Sequence, residues 1–391
     1  MTDAVPSPPD GPAGARPRVR DLGIPFPGTP GPLNAITDVA GVEVGYTTLI
    51  AGEGPLRVGE GPVRTGVTAV LPRGRAGVGR ACAAGWHALN GNGEMTGTAW
   101  IEESGALSMP VLVTNTHAVG PCHAGAVEWI VDRHPAVARQ WLLPVVAETW
   151  DGYLNDINGG HVTAAHARAA LDAARGGPIA EGSVGGGTGM TCYAFKGGSG
   201  TASRRVPHAG AEHVVGVFVQ ANFGRRRELT IAGRRIGEQL TADNPQEDSD
   251  WIAPPGSGSV IAIVATDAPL LPGQCTALAR RVALGLARTG TAGSHFSGDI
   301  FLAFSTANDD ALASRLSASG SPDAGYATLR FIPWGLIDPF YEAVVQATEE
   351  AVVNALVAAR TMMGVDDRRS PALPHDRVAG QLRGDAASAP G

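Results

Sequence analysis

Residues 254–271 read PPGSGSVIAIVATDAPLL, and the fold turns on how this stretch is understood. A flexible Pro/Gly/Ser linker runs, with no charge before Asp267, into a continuous apolar run over 260–265. A short apolar run of this kind, bounded by turn residues, reads as a buried strand. Linkers ordinarily end in a polar turn or a helix cap, whereas this one sets the Ser259 hydroxyl at the mouth of the strand. Gly258 tolerates strained backbone geometry, so that hydroxyl can attack the Gly258 carbonyl. Hydrolysis of the resulting ester makes Ser259 a new N-terminus. Its free α-amine, with a reference pKa of about 7.7–8.0, can then act as general base for its own hydroxyl. On this reading the linker is flexible so that the cut can occur, and the strand is rigid so that the hydroxyl is held afterwards. Residues 256–259 also read as a plain loop feeding a strand. Ser257, likewise preceded by Gly, leaves the cut ambiguous by two residues; Ser259 is preferred because it adjoins the strand directly.

Outward from this stretch, short strands are predicted at 32–48, 63–72, 106–117, 142–149, 214–221 and 299–306. Helices are predicted at 120–140, 161–175, 272–289 and from Asp338 to about Met362, where Asp338 can cap and Pro339 is tolerated in the first turn. Residues 225–258 are polar and charged and read as an exposed loop. Residues 1–18, rich in Pro, Gly and Ala without an apolar h-region, read as a tail and not as a signal peptide, and 366–391 as a second tail. Between them, 19–258 and 259–365 form two parts of one domain. The strands lack regular helical crossovers, which weighs against a doubly wound sheet and favours a layered α+β, αββα architecture.

The 391 residues, 43% of them hydrophobic, suffice for a sizeable core, and 54 Gly and 29 Pro dispersed among apolar runs imply many tight turns. A net charge of −7 gives no electrostatic footprint for nucleic acid. The run Arg225-Arg226-Arg227 reads as a solvated loop. Four scattered cysteines (Cys82, Cys122, Cys192, Cys275) show no metal-ligand or disulfide pattern. No run is long enough to span a membrane, so the default location is cytoplasmic. The loop 182–189 (GSVGGGTG) lacks the Lys-Ser/Thr of a P-loop and reads as close backbone packing. His161 and His166 do not form a metal motif, and no metal or cofactor is expected.

Three further places could carry chemistry. Ser297 and Asp299 stand two apart at the entrance to an apolar strand, where they can share one side of an extended segment and form a relay; a strand-initiating turn is the bland alternative. Glu148 and Trp150 stand at the end of the strand at 142–149, where a carboxylate could hold a substrate amine and an indole could wall its pocket; a turn at the sheet's end explains the segment equally well. Asn222 ends the strand at 214–221, and its amide could donate to an oxyanion or simply precede the Gly224 turn.

Taken together, GPLNAITDVAGVEVG (31–45), VVAETWDGYLNDING (145–159), GSVGGGTGM (182–190), VQANFG (219–224), GSVIAIVATDAPLLP (258–272) and SGDIFLAFSTAN (297–308) resemble, in that order, the DmpA/β-peptidyl aminopeptidase family of self-cleaving serine hydrolases. The resemblance covers roughly residues 20–362. It implies a four-layer αββα sandwich like that of N-terminal-nucleophile hydrolases but with different connectivity. It also implies cleavage after Gly258, Ser259 as nucleophile, Ser297 and Asp299 as its supporting pair, Asn222 in the oxyanion hole, Glu148 on the substrate's free amine and Trp150 lining the pocket. Some members carry Glu where this chain has Asp299. The implied substrates are small peptides, amino-acid amides or esters with a free amino end, and the implied assembly is a homotetramer. Two other classes stand beside it: an acyltransferase of related fold, against which Ser at 259 weighs because those enzymes use Thr, and a non-catalytic binding protein.

Overall fold

The computed structural model describes residues 17–247, 258–309, 311–314 and 326–384. In chain order the elements are β1 (Glu43–Ala51), β2 (Val63–Leu71), β3 (Cys82–Ala88), α1 (Thr98–Ser104), β4 (Ala106–Leu107), β5 (Val111–Asn115), α2 (Val119–Arg133), β6 (Val145–Thr149) and α3 (Ala164–Asp172). A ribbon of β7 (Thr191–Cys192) and β8 (Phe195–Lys196) precedes β9 (Gly198–His208), β10 (Ala211–Asn222), β11 (Gly258–Thr266), α4 (Pro272–Arg288), β12 (Ser297–Ser305) and α5 (Asp338–Ala358). The chain closes with β13 (Met362–Met363), β14 (Arg369–Ser370) and α6 (His375–Gly384).

Two sheets stack between two helical layers. One sheet has the order β1-β2-β5-β6 and the other β4-β3-β12-β11-β10-β9. Between them lie Val44, Val70, Val113 and Val145 from the first and Phe218, Ile261, Ile263, Ile300 and Leu302 from the second. Outside the first sheet, Trp129 of α2 and Leu171 of α3 cover Leu112 and Val146. Outside the second, Leu278 and Val282 of α4 and Val344 and Ala351 of α5 cover Val260, Ala262 and Phe301. Since β11 is covered on both faces, its sequence carries no polar alternation. Each of its fully buried Val and Ile side chains contributes about 1.5–3 kcal/mol. The layering is the αββα sandwich expected.

Several boundaries differ from the sequence reading, each for a local reason. The strand expected at 106–117 is two strands in different sheets, separated where Pro110 can donate no ladder bond. That expected at 32–48 begins only at Glu43, because Asp38 accepts from the Leu33 and Ala35 N–H groups ahead of a short 3-10 helix, Ile36–Asp38. The helix expected to reach 140 ends at Arg133, ahead of the His134-Pro135 step. β9 escaped notice because its first residues are small: α5 lies so close that a Cβ on Gly200 would come within 2.1 Å of the Ala351 carbonyl.

Three expectations need correction. Within 225–247, Leu229, Ile231, Ile236 and Leu240 are buried, so this part of the expected exposed loop is packed; residues 248–257 lie outside the described residues. In the arginine run only Arg225 and Arg227 are exposed. Arg226 is 2% exposed, with its guanidinium 3.4 Å from the Phe195 ring centroid and bonded to the Tyr193, Ala194 and Leu240 carbonyls. The tail expected from 366 is ordered as far as Gly384, with Leu373 and Val378 buried. At the other end, residues 1–16 lie outside the described residues, while Arg18 donates to the Leu33 and Asn34 carbonyls and pairs with Glu181.

Candidate active site

Ser259 is the second residue of β11 and 2% exposed. Antiparallel β10 sets Asn222 opposite it, while parallel β12 sets Gly298 opposite Ser259 and Ser297 opposite Gly258. Side chains alternate between the two faces of a sheet. Ser259, Asn222 and Gly298 therefore share the face of Ile261 and Ile300, which looks into the inter-sheet core. Ser297 and Asp299 share the other face with Phe301, toward α4 and α5.

The loop after β6 meets Ser259 from the opposite sheet. The Trp150 backbone N–H donates to Ser259 Oγ at 3.1 Å, and the Trp150 carbonyl accepts from Asn222 Nδ2 at 2.8 Å. Asn222 Oδ1 in turn accepts from the Thr191 N–H at 2.8 Å. Trp150 thus joins Ser259 to Asn222 through its main chain, a role its side-chain type could not announce. The reason for glycine at 258 is steric: a Cβ there would lie 2.0 Å from the Asn222 carbonyl oxygen.

Ser297 Oγ donates to Asp299 Oδ1 at 2.5 Å. Burial pushes the Asp299 carboxyl up, and the bonds from Ser297 and Asn90 oppose it. Ser297 stands in register with Gly258, the residue before Ser259, on the opposite face of the sheet from the Ser259 side chain.

Glu148, 2% exposed, is the penultimate residue of β6. Its Oε1 accepts from the Glu94 backbone N–H at 2.9 Å and its Oε2 from the Thr116 hydroxyl. Burial raises its pKa against those two bonds. The loop 90–94, NGNGE, lies over both halves of the site. A Cβ on Gly93 would sit 2.9 Å from Gly298 Cα and 3.2 Å from Glu148 Oε1, and one on Gly298 only 2.4 Å from the Asn92 carbonyl. Sequence reasoning passed over Asn90, Glu94 and Thr116; the Asn/Gly alternation of NGNGE was the available sign of a backbone forced close to something.

The glycine loop 182–189 packs between the sheets: a Cβ on Gly186 would lie 2.2 Å from Gln220 Oε1 and 2.5 Å from the Val113 carbonyl. His161 pairs with Asp156 at 2.9 Å, and among the described residues no group of three or more His, Cys, Asp or Glu is placed to hold a metal ion. All four cysteines are buried free thiols.

Four layers of this order, with a candidate nucleophile opening a central strand, place the chain among hydrolases of the N-terminal-nucleophile type. Residues 34–370 match Peptidase family S58, and the chain belongs to that family. It is 50% identical over 377 residues to beta-peptidyl aminopeptidase BapA of Sphingosinicella microcystinivorans, covering 94% of this chain and 92% of that one. Its fold superposes on the L-aminopeptidase D-Ala-esterase/amidase of Ochrobactrum anthropi, described as a variant of the Ntn hydrolase fold, with a TM-score of 0.86 and 45% identity, covering 94% of this chain and 99% of that one. A Burkholderia sp. beta-aminopeptidase gives a TM-score of 0.84 at 45% identity, covering 94% and 98%. The chain is an aminopeptidase, a hydrolase of N-terminal-nucleophile fold.

Proposed function

We propose that the chain cuts itself between Gly258 and Ser259 and that the serine so exposed releases N-terminal residues, β-amino acids among them, from peptides, amides or esters with a free amino end. The observation that carries this is the placement of Ser259 Oγ on the Trp150 N–H, opposite Asn222, at the first turn of a strand buried on both faces.

After the cut, the Ser259 nitrogen is a free amine beside Ser297. Ser297 donates its hydroxyl hydrogen bond to Asp299 and so offers oxygen lone pairs to the amine N–H groups, leaving the amine lone pair for Ser259 Oγ. Ser259 Oγ attacks the substrate carbonyl as the amine takes its proton. Asn222 has a second amide N–H besides the one bonded to Trp150, and that donor meets the oxyanion. The protonated amine passes its proton to the leaving group, and water then hydrolyses the acyl-enzyme by the same path in reverse. Glu148 holds the substrate ammonium, and the Trp150 indole lines the pocket where substrate side chains are sorted.

Residues 1–258 and 259–391 form one domain and stay together after the cut, because the β10–β11 and β3–β12 ladders join them through the core. The working form is a homotetramer in the cytoplasm. The family resemblance supports the assembly, and four unpaired thiols suit a reducing compartment. No helix among the described residues is long and apolar enough to cross a membrane. The test is a matched panel of an N-terminal β-amino-acid amide, an L-amino-acid amide and a D-alanine ester, each free and N-acetylated. Release from free forms alone supports the reading; turnover of the acetylated forms at equal rate contradicts the role of Glu148.

A further inference from the structure

We propose that Asn90 is a positioning residue of the hydrolytic site, its side-chain amide fixing the Asp299 carboxyl in the one orientation that holds Ser297. The inference rests on the reading of Ser297 and Asp299 as partners of the Ser259 amine.

β3 pairs with β12 as far as Ala88 opposite Ile300. Beyond Ala88 the chain must leave the ladder, because 92–93 pass directly over Gly298. Leu89 still donates its N–H to the Asp299 carbonyl at 2.9 Å. The Asp299 N–H, however, is met by a side chain: Asn90 Oδ1 accepts it at 2.6 Å. The same amide donates from Nδ2 to Asp299 Oδ2 at 2.9 Å and to the Ser294 carbonyl at 3.0 Å. Asn90 therefore grips both the backbone and the carboxyl of Asp299.

The consequence concerns a torsion. The χ2 angle of an aspartate is broad and roughly two-fold, with little preference of its own. With Oδ2 tied to Asn90, the other oxygen is turned to Ser297. Without that tie, the carboxyl can rotate, and the Ser297 hydroxyl is free to turn its proton toward the amine it should accept from. Besides burial itself, the groups that bear on the Asp299 charge are the Ser297 hydroxyl, the Asn90 amide and the Val260 N–H.

The test uses the full-length, self-processed enzyme. In Asn90→Ala, kcat should fall about 10²-fold, the cost of a misplaced catalytic group. KM should stay as it was, since Glu148 is untouched, and the acid limb of kcat/KM should move to higher pH because a donor to the carboxylate is gone. In an Asp299→Asn background the same change should alter kcat by less than about twofold, since residues acting as one unit are not additive. Asn90→Asp keeps the size and the acceptor, so it guards against a folding artefact. It sets a second carboxyl against Asp299, and two such groups share one proton at low pH. Its turnover should therefore be lost as pH rises through that raised pKa, an alkaline fall foreign to the native profile. Native kcat and pH profile in Asn90→Ala, full additivity with Asp299→Asn, or no alkaline fall in Asn90→Asp would each overturn the proposal. A fully active Asp299→Asn enzyme overturns the reading of the Ser297–Asp299 pair and Asn90 with it; a slow Asp299→Asn enzyme beside an unaffected Asn90→Ala overturns Asn90 alone.

Discussion

The hydroxyl of Ser259 accepts a hydrogen bond from the backbone N–H of Trp150 at 3.1 Å, across the gap between the two sheets. The bond ties the first residues of β11 to the end of β6 that also carries Glu148, so the proposed nucleophile and the proposed amine anchor are placed by one short segment, 148–150.

The contact at Gly258 sets a steep requirement. A Cβ would lie 2.0 Å from the Asn222 carbonyl oxygen, which belongs to the adjoining strand backbone and cannot swing aside. Gly258→Ala should shift the scissile carbonyl relative to Ser259 Oγ and slow self-cleavage about 10²-fold, read as the persistence of uncut chain in a time course by intact mass.

Glu148 gives a separable effect. Glu148→Gln removes a charge-assisted bond to the substrate ammonium, about 1.5–3 kcal/mol, so KM should rise about 10- to 100-fold. Self-cleavage should continue, because the Gly258–Ser259 bond presents no ammonium. The pH dependence has a definite sign. Burial raises the Glu148 pKa, so the carboxylate is lost on acidification earlier than an ordinary one, and native KM should climb as pH falls through that value while the variant stays flat. A carboxyl with a raised folded pKa binds protons more readily folded than unfolded, so its neutral form favours folding. The variant should therefore be no less stable than the native enzyme at neutral pH.

Asn222→Ala deletes the proposed oxyanion donor together with the link to Trp150 and the acceptor for Thr191. Steady-state assays should show kcat lower by about 10²–10³. KM should change little, since the ammonium site is elsewhere.

Glu350 predicts a stability effect with no change in chemistry. Fully buried on α5, it bonds Arg20, Arg204 and Asn34. Burial alone would raise its pKa, but those partners outweigh it and hold the carboxyl below its usual value. Its contribution is thus present above the unfolded pKa and lost as pH falls through the folded one. Glu350→Ala leaves two arginines uncompensated and should cost about 3–5 kcal/mol in denaturant unfolding at neutral pH.

What the sequence made legible follows from period and turn chemistry. β11, β12, α4 and α5 were readable because apolar runs and a Pro-bearing helix start are local facts. The Gly-Ser step at 258–259 and the Ser297–Asp299 spacing marked where chemistry could sit for the same reason. β9 was not legible, since its glycines are explained only by Gly182 lying against Gly198 and α5 against Gly200. Nor was the burial of Arg226 and Arg204, whose charge is satisfied by carbonyls and a carboxylate far off in sequence. In the site, the Trp150 main chain and the Asn90 amide act through positions that only the sheet register defines. A side-chain pattern cannot disclose a backbone donor.

The central claim is that Ser259 becomes an N-terminus, and the most direct measurement is intact mass with N-terminal sequencing of the purified protein beside Ser259→Ala. The account predicts two fragments from the native chain, the smaller beginning Ser-Val-Ile-Ala, and one uncut 39.9 kDa chain without turnover from the variant. A single uncut native chain that nevertheless hydrolyses the free amides, or a variant that is cut at the same bond, would contradict it.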